Sequence, residues 1–439
     1  MERLYMERLA QWKDAPRRKP LILEGARQVG KTWLVKEFGR RHFDSLAYIS
    51  LENNQRMAAL FDGDIAPDRL VPALSLEAGV AIQPQSTLIV IDEVQEVPRA
   101  LTSLKYFCEN APEYAVIATG SSLGITIHPG TSFPVGKVDL GRLYPLSLRE
   151  FLMACKEEGL ARVIGDADID LMGAFHGRIL EWLKYYLIVG GMPEAVLEFS
   201  QAYPSVDFKA VTRIQKHILQ DYRDDFSKHG HAAPRGLPLR LNQVWDSIPA
   251  QLSKENKKFL YGAVRKGGRG RDFELAIQWL VDSSLALKVT RVNVPDYPLK
   301  MYEEFDAFKL YMLDVGLLRA MAGVDPAVIL EGDAIFGTAK GAFAEQYVCQ
   351  QLAMQGVDSY YWSAENSSAE LDFVVQKGAF VVPVEVKSGV NLQAKSLKSA
   401  IKRFGFNEAL RFSTLPPRCD GAIRDYPLYA VEAFGKLIP

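Results

Sequence analysis

The chain has little of what disulfide frameworks and zinc sites are made from. Its 439 residues include 4 cysteines and 6 histidines. Cys108, Cys155, Cys349 and Cys419 lie far apart with no paired spacing, so reduced thiols in a cytoplasmic protein are expected, not bridges or a metal cluster. Long apolar runs are missing as well, and no stretch approaches the ~20 residues that cross a bilayer. The opening MERLYMERLAQWKDAPRRKP is charged and unlike a signal peptide, so no membrane association is expected. The chain also lacks an excess of either charge. A formal net charge of −1 argues against a protein that coats nucleic acid. The remainder, 48% hydrophobic and 24% charged, has the composition of a soluble globular protein, and its length calls for more than one core.

What is present is concentrated in a few segments. Residues 25–32 read Gly25-Ala26-Arg27-Gln28-Val29-Gly30-Lys31-Thr32, a phosphate-binding loop pattern, with apolar Leu21-Ile22-Leu23 before it and a helix-compatible segment after it. The glycines let backbone N–H groups face a phosphate at the positive end of a helix. Lys31 is placed to reach the β- and γ-phosphates of ATP, and the Thr32 hydroxyl to hold Mg²⁺. A second apolar strand, Thr87-Leu-Ile-Val-Ile-Asp92-Glu93, ends in two acids. Asp92 suits the Mg²⁺ shell and Glu93 suits activation of the attacking water. A third strand ends at Thr119-Gly120-Ser121, where Thr119 or Ser121 is positioned to sense the γ-phosphate. Alternating strands and helices indicate an α/β core with a mostly parallel sheet, binding at the carboxyl ends of its strands.

The segments GARQVGKT, TLIVIDEVQ, IATGSS, SFPVGKVDLGRLYPLSLREFL and YYLIVGGMPEAV, in this order, resemble a group of prokaryotic AAA+-type ATPases with a C-terminal domain of unknown function. The resemblance implies an ATPase core to about residue 160 and a helical lid to about 205, preceded by a helix carrying Tyr5, Leu9 and Trp12. The expected domains are 1–205, 206–300 and 301–439. Hydrolysis in this superfamily commonly uses a cation from a neighbouring subunit, which makes a homo-oligomer an expected assembly. Gly136-Lys137 stands where several members have Gly-Arg, and Arg142 and Arg27 are the nearby alternatives.

Between 201 and 300 there are 17 Lys+Arg against 10 Asp+Glu, so the basic residues are unevenly placed. The resemblance implies a winged helix here, with the helix Arg271–Asp282 burying Phe273, Ile277 and Leu280. Its outward Glu274, Gln278 and Asp282 disfavour groove reading. Arg265, Lys266, Arg269 and Arg271, with Lys254, Lys257 and Lys258 upstream, are the candidates for clamping DNA phosphates.

Residues 370–387 read as two strands joined at Lys377-Gly378. Period-two alternation puts Glu385 and Lys387 on one face, with Asp372 beside them on the paired strand. On the preceding helix, Glu345 shares a stripe with Val348, Cys349 and Leu352. A core-facing carboxylate is costly unless paired or metal-bound, which points to a metal. The set resembles the PD-(D/E)xK nuclease fold of the archaeal Holliday-junction resolvase type. That resemblance implies Asp372 and Glu385 as ligands of a second Mg²⁺ or Mn²⁺, Glu345 as the helix acid and Lys387 as the catalytic lysine, with a helix at Gln393–Arg403. The expected whole is a P-loop AAA+ core with a lid, then a winged helix and a mixed-sheet restriction-endonuclease-like domain. The rival expectation is a nucleotide-dependent regulatory switch, of toxin–antitoxin or defence type, with a non-cleaving C-terminal domain.

Overall fold

A computed structural model describes residues 1–120, 133–228, 236–254, 256–330, 340–364, 369–388 and 395–438. They form two compact units. One comprises Glu2–Tyr144 with Asp282–Ser284, and the other Met1, Pro145–Val281 and Leu285–Pro439. Among the described residues no helix is long and apolar enough to cross a membrane.

In the first unit, α1 (Tyr5–Lys13) buries Leu9 and Trp12 as expected, with Met6 buried in place of the expected Tyr5, which is half-buried. Strand β1 (Leu21–Glu24) leads through the glycine loop into α2 (Lys31–His42). β2 (Ser45–Ser50), α3 (Gln55–Asp62), α4 (Pro67–Ala78), β3 (Thr87–Asp92), α5 (Pro98–Asn110), β4 (Ala115–Gly120) and β5 (Asp139–Arg142) follow. The sheet runs β2-β3-β4-β1-β5 with every pair parallel. All six residues of β3 and all six of β4 are buried, which is why both strands read as continuous apolar runs. Ile22, Ile89, Ile91, Val116 and Ala118 pack with Phe61, Leu70, Leu104 and Phe107 from the flanking helices. Because the strands are parallel, the tips of β1, β3 and β4 end on one edge, where Gly25, Asp92 and Thr119 stand.

The second unit opens with short helices over 148–202, followed by α6 (Phe208–Lys228), α7 (Leu237–Leu252) and α8 (Gly270–Asp282). Phe273, Ile277 and Leu280 of α8 are buried as the stripe indicated. Strands β6 (Ala286–Val292) and β7 (Glu303–Met312) come next, then α9 (Val315–Ala322), α10 (Pro326–Leu330) and α11 (Lys340–Met354). After β8 (Ser359–Ser363), the hairpin β9 (Glu370–Lys377) and β10 (Phe380–Val386) turns at Gly378, at φ 57. α12 (Lys395–Phe404), β11 (Ala409–Ser413), β12 (Arg418–Asp420) and β13 (Ile423–Pro427) complete a mixed eight-stranded sheet of order β12-β13-β11-β10-β9-β8-β6-β7. The β6–β7 hairpin after α8 does not stand apart as a wing. β6 pairs parallel with β8 and so extends this sheet. Buried glutamines tie α11 to the end of β7 and the start of α9, with Gln346 accepting from the Met312 N–H and Gln350 from the Val315 N–H, each at 2.9 Å. That anchoring fixes the turn of α11 that carries Glu345.

Candidate nucleotide site and acidic cluster

The phosphate loop closes tightly because two positions need glycine. Gly30 sits at φ 93 as the N-cap of α2, and a Cβ on Gly25 would lie 2.4 Å from the Leu143 carbonyl oxygen. Ala26 and Val29 are buried, and Gln28 takes a left-handed φ of 65. Lys31 is buried and its ammonium donates to the carbonyls of Gly25 at 2.9 Å and Ala26 at 2.8 Å. Burial brings it down to about 8, against the opposing pull of Glu93 and Asp92.

Asp92 is the hub of the site. One carboxylate oxygen accepts from the Thr32 hydroxyl at 2.9 Å and the Tyr48 hydroxyl at 2.6 Å. The other accepts from Thr119 and from the Glu93 N–H. Hydroxyls from three elements therefore converge on the acid expected to manage Mg²⁺, and the Thr32–Asp92 pair is an oxygen donor set of the kind that ion takes. Glu93 follows in the left-handed conformation (φ 54, ψ 47), which costs a non-glycine residue roughly 1–2 kcal/mol. Gln95 donates to its carboxylate, and the Gln95 Oε1 is buried with no hydrogen-bond partner among the described residues. Tyr48 and Gln95 are site residues that sequence reasoning missed. Gln95 left a trace, two positions after Glu93 in the motif; Tyr48 left none. Ser121 lies outside the described residues.

Two of the three expected activating cations are otherwise engaged. Lys137 pairs with Glu109 at 2.9 Å, and Arg142 lies 3.6 Å from Glu24.

In the second unit the structure brings together the four residues expected of a nuclease site. The register that sets Phe373 opposite Val384 sets Asp372 beside Glu385, and the Val386 N–H donates to Asp372 at 2.8 Å. Lys387 lies 2.6 Å from Glu385. Burial alone would lower the Lys387 ammonium, but Glu385, Asp372 and Glu345 outweigh it and hold the group above its usual range. Burial and the Glu345 charge push Asp372 up to about 7.

Glu345 corrects one expectation. Its burial is compensated by cations: Lys257 sits at 2.6 Å, Lys309 at 3.7 Å, and the Tyr311 hydroxyl donates at 3.1 Å. Burial would raise this carboxyl, yet Lys257 and Lys309 hold it below its usual value. A core-facing acid here does not by itself indicate a metal. Lys257, expected among the phosphate clamps, is committed to Glu345. Lys309, fully buried on β7, also reaches Glu370 at 2.5 Å and was not foreseen. Among the described residues no group of three or more His, Cys, Asp and Glu is arranged to hold a metal ion. Asp372 and Glu385 do fit a two-carboxylate site, since Glu385 Oε2 is buried without a hydrogen-bond partner among the described residues.

Of the expected DNA contacts, Arg265, Lys266, Arg269 and Arg271 are exposed around the start of α8. Arg265 lies 3.7 Å from Asp272 and over the Phe273 ring. Gln393 lies outside the described residues, and the helix expected there is described from Lys395.

The P-loop geometry has a counterpart among known families, because residues 17–152 match the family described as an AAA domain. This segment is similar to an AAA domain and carries the phosphate-loop pattern such a domain would use. Beyond it, residues 180–328 and 340–413 match two domains of unknown function, DUF8612 and DUF4143. No curated protein matches the chain. Among solved structures, the chain is similar to the Walker-type ATPase PABY2304 of Pyrococcus abyssi, at 14% identity and a TM-score of 0.44, over 73% of this chain and 95% of that one. It is also similar to the Aeropyrum pernix ORC1 protein, solved in complex with DNA, at 14% identity and TM-score 0.29, over 73% and 91% of the two chains. Cdc6p from Pyrobaculum aerophilum follows at 13% identity and TM-score 0.23, over 74% and 91%. Likenesses this distant say nothing of activity.

Proposed function

We propose that the chain hydrolyses Mg·ATP at the AAA domain and that nucleotide state governs a nuclease-like, DNA-acting C-terminal domain. The observation that carries the first half is the convergence of Thr32, Tyr48 and Thr119 on Asp92, one residue before Glu93. Lys31 is released from the Gly25 and Ala26 carbonyls to meet the phosphates. Glu93, held by its left-handed backbone and by Gln95, orients water and takes its proton. Thr32 and Asp92 would hold Mg²⁺, which would supply charge neutralisation for the phosphates. Nucleotide titration of wild type and Lys31→Ala tests this; equal affinity for Mg·ATP would remove the loop from the account.

In the C-terminal domain, Asp372 and Glu385 offer carboxylate oxygens to a divalent cation, and Lys387 stands beside them for the scissile phosphate or a water. Arg265, Lys266, Arg269 and Arg271 supply phosphate contacts that carry no sequence information. A specific observation favours a second reading. Lys257 and Lys309 occupy Glu345, which suits a switch whose C-terminal domain binds without cleaving. A panel of duplex, single-stranded and branched DNA with Mg²⁺ or Mn²⁺, with and without ATP, separates them. Cleavage lost in Asp372→Asn supports the first reading, and binding without cleavage supports the second.

A further inference from the structure

The second unit holds a cavity of about 880 Å³ between the first turns of α6 and the segment from α9 to α10, inside the region matching DUF8612. That volume is ordinary for a small-molecule site. Its floor includes Arg319, 1% exposed. The guanidinium donates to the Ile188 carbonyl at 3.2 Å, the Val324 carbonyl at 3.0 Å, the Thr212 hydroxyl at 3.0 Å and the Gln215 side-chain oxygen. Every one of these acceptors is neutral, and among the described residues no carboxylate pairs with it. A buried cation compensated only by dipoles is costly, and an anion arriving in the cavity would relieve that cost. Burial lowers Arg319 to about 10, and the field of Asp325 offsets this only in part.

The wall above is cationic. Lys209, Arg213 and Lys216 fall at i, i+4 and i+7 of α6, so they share one face; all three are exposed and line the cavity. The cavity's two acids are turned to backbone. Asp207 accepts from the Lys209 N–H and Asp325 from the Ala327 N–H, each at 2.9 Å. The remaining lining is largely apolar and includes Val324, Pro326, Leu330 and the Phe208 ring, which stacks on Tyr185 at an interplanar angle of 12°. Cations and apolar surface within one cavity call for a ligand with both characters.

The geometry points to a second small-molecule site, separate from the phosphate loop, for a phosphorylated ligand with a flat apolar body of nucleotide size. Its phosphate meets Arg213, Lys216 and the field of Arg319, and its body lies against Phe208 and the apolar wall. AMP is the suitable probe, because it lacks the β- and γ-phosphates that a phosphate loop grips. The full chain carrying Lys31→Ala is titrated calorimetrically with AMP and, separately, with inorganic pyrophosphate. One AMP per chain should bind, at least tenfold more tightly than pyrophosphate. Adding Arg213→Glu and Lys216→Glu should weaken AMP at least tenfold without changing the melting temperature, since both residues are exposed. In an otherwise wild-type chain the same pair should leave Mg·ATP affinity intact. An absent AMP isotherm, AMP affinity unmoved by the charge reversals, or pyrophosphate binding as tight as AMP would each overturn the assignment.

Discussion

Burial holds the Lys31 ammonium at about 8, so near that pH a fraction of the free protein carries a neutral Lys31. Phosphates restore the charged form. Nucleotide binding at pH 8 should therefore take up a fraction of a proton, and the uptake should vanish at pH 6, where Lys31 is already charged. Calorimetry in buffers of different ionisation enthalpy measures this; identical enthalpies at pH 8 would contradict it. Asp372 is the acidic counterpart. Its carboxyl is raised to about 7 in the folded chain, against ~3.9 when unfolded, so the unfolded state loses its proton first. The group's contribution to stability is fully present below about pH 4 and is lost as pH rises through 7. Asp372→Asn should thus stabilise the second unit more at pH 8 than at pH 5, by on the order of 2 kcal/mol, and denaturant titration at the two pH values reads the difference. At this scale the sequence was informative wherever a motif fixes several residues at once, as for Lys31, Thr32 and Asp92. It was silent on Tyr48 and Lys309. They reach their partners from other strands, and nothing local to SLAYIS or DAFKLYM shows a carboxylate waiting across the sheet.

Helix α11 and strand β7 meet through charge as well as packing. Removing Lys257 leaves Glu345 buried, among the described residues, with the more distant Lys309 and the Tyr311 hydroxyl. Lys257→Met should destabilise the unit on the order of 3 kcal/mol, and adding Glu345→Gln should recover most of it; a double-mutant cycle with no coupling would contradict the pairing. The segment leading into α8 makes a different prediction. With Arg265, Lys266, Arg269 and Arg271 changed to Ala, DNA affinity should fall alike for all sequences. The slope of log affinity against log salt should drop by about one unit for each phosphate no longer neutralised, with Arg265 contributing least because of Asp272. An unchanged slope would remove this segment from any DNA interface. The β9–β10 hairpin, the buried run of β3 and the apolar stripe of α8 were legible because each is a local pattern, whether a turn signal, a continuous apolar run or a 3.6-residue period. The membership of β6 and β7 in the eight-stranded sheet was not. Their link to β8 is a parallel pairing across some seventy residues, which local periodicity cannot indicate.

For the molecule as a whole, a near-neutral charge, a parallel five-stranded core and a mixed eight-stranded sheet describe a chain that pairs a nucleotide-binding unit with a differently built second one. The first of these is proposed to hydrolyse ATP through Glu93. The proposed action of the Asp372–Glu385 site would take its timing from that reaction. The direct measurement is steady-state phosphate release from Mg·ATP by wild type and Glu93→Gln, with nucleotide affinity measured in parallel. Turnover is expected in wild type, with a fall of about 10²-fold or more in Glu93→Gln and unchanged affinity, since the amide keeps the shape but cannot accept the proton. Equal rates in the two proteins, or no turnover in wild type with nucleotide bound, would contradict it.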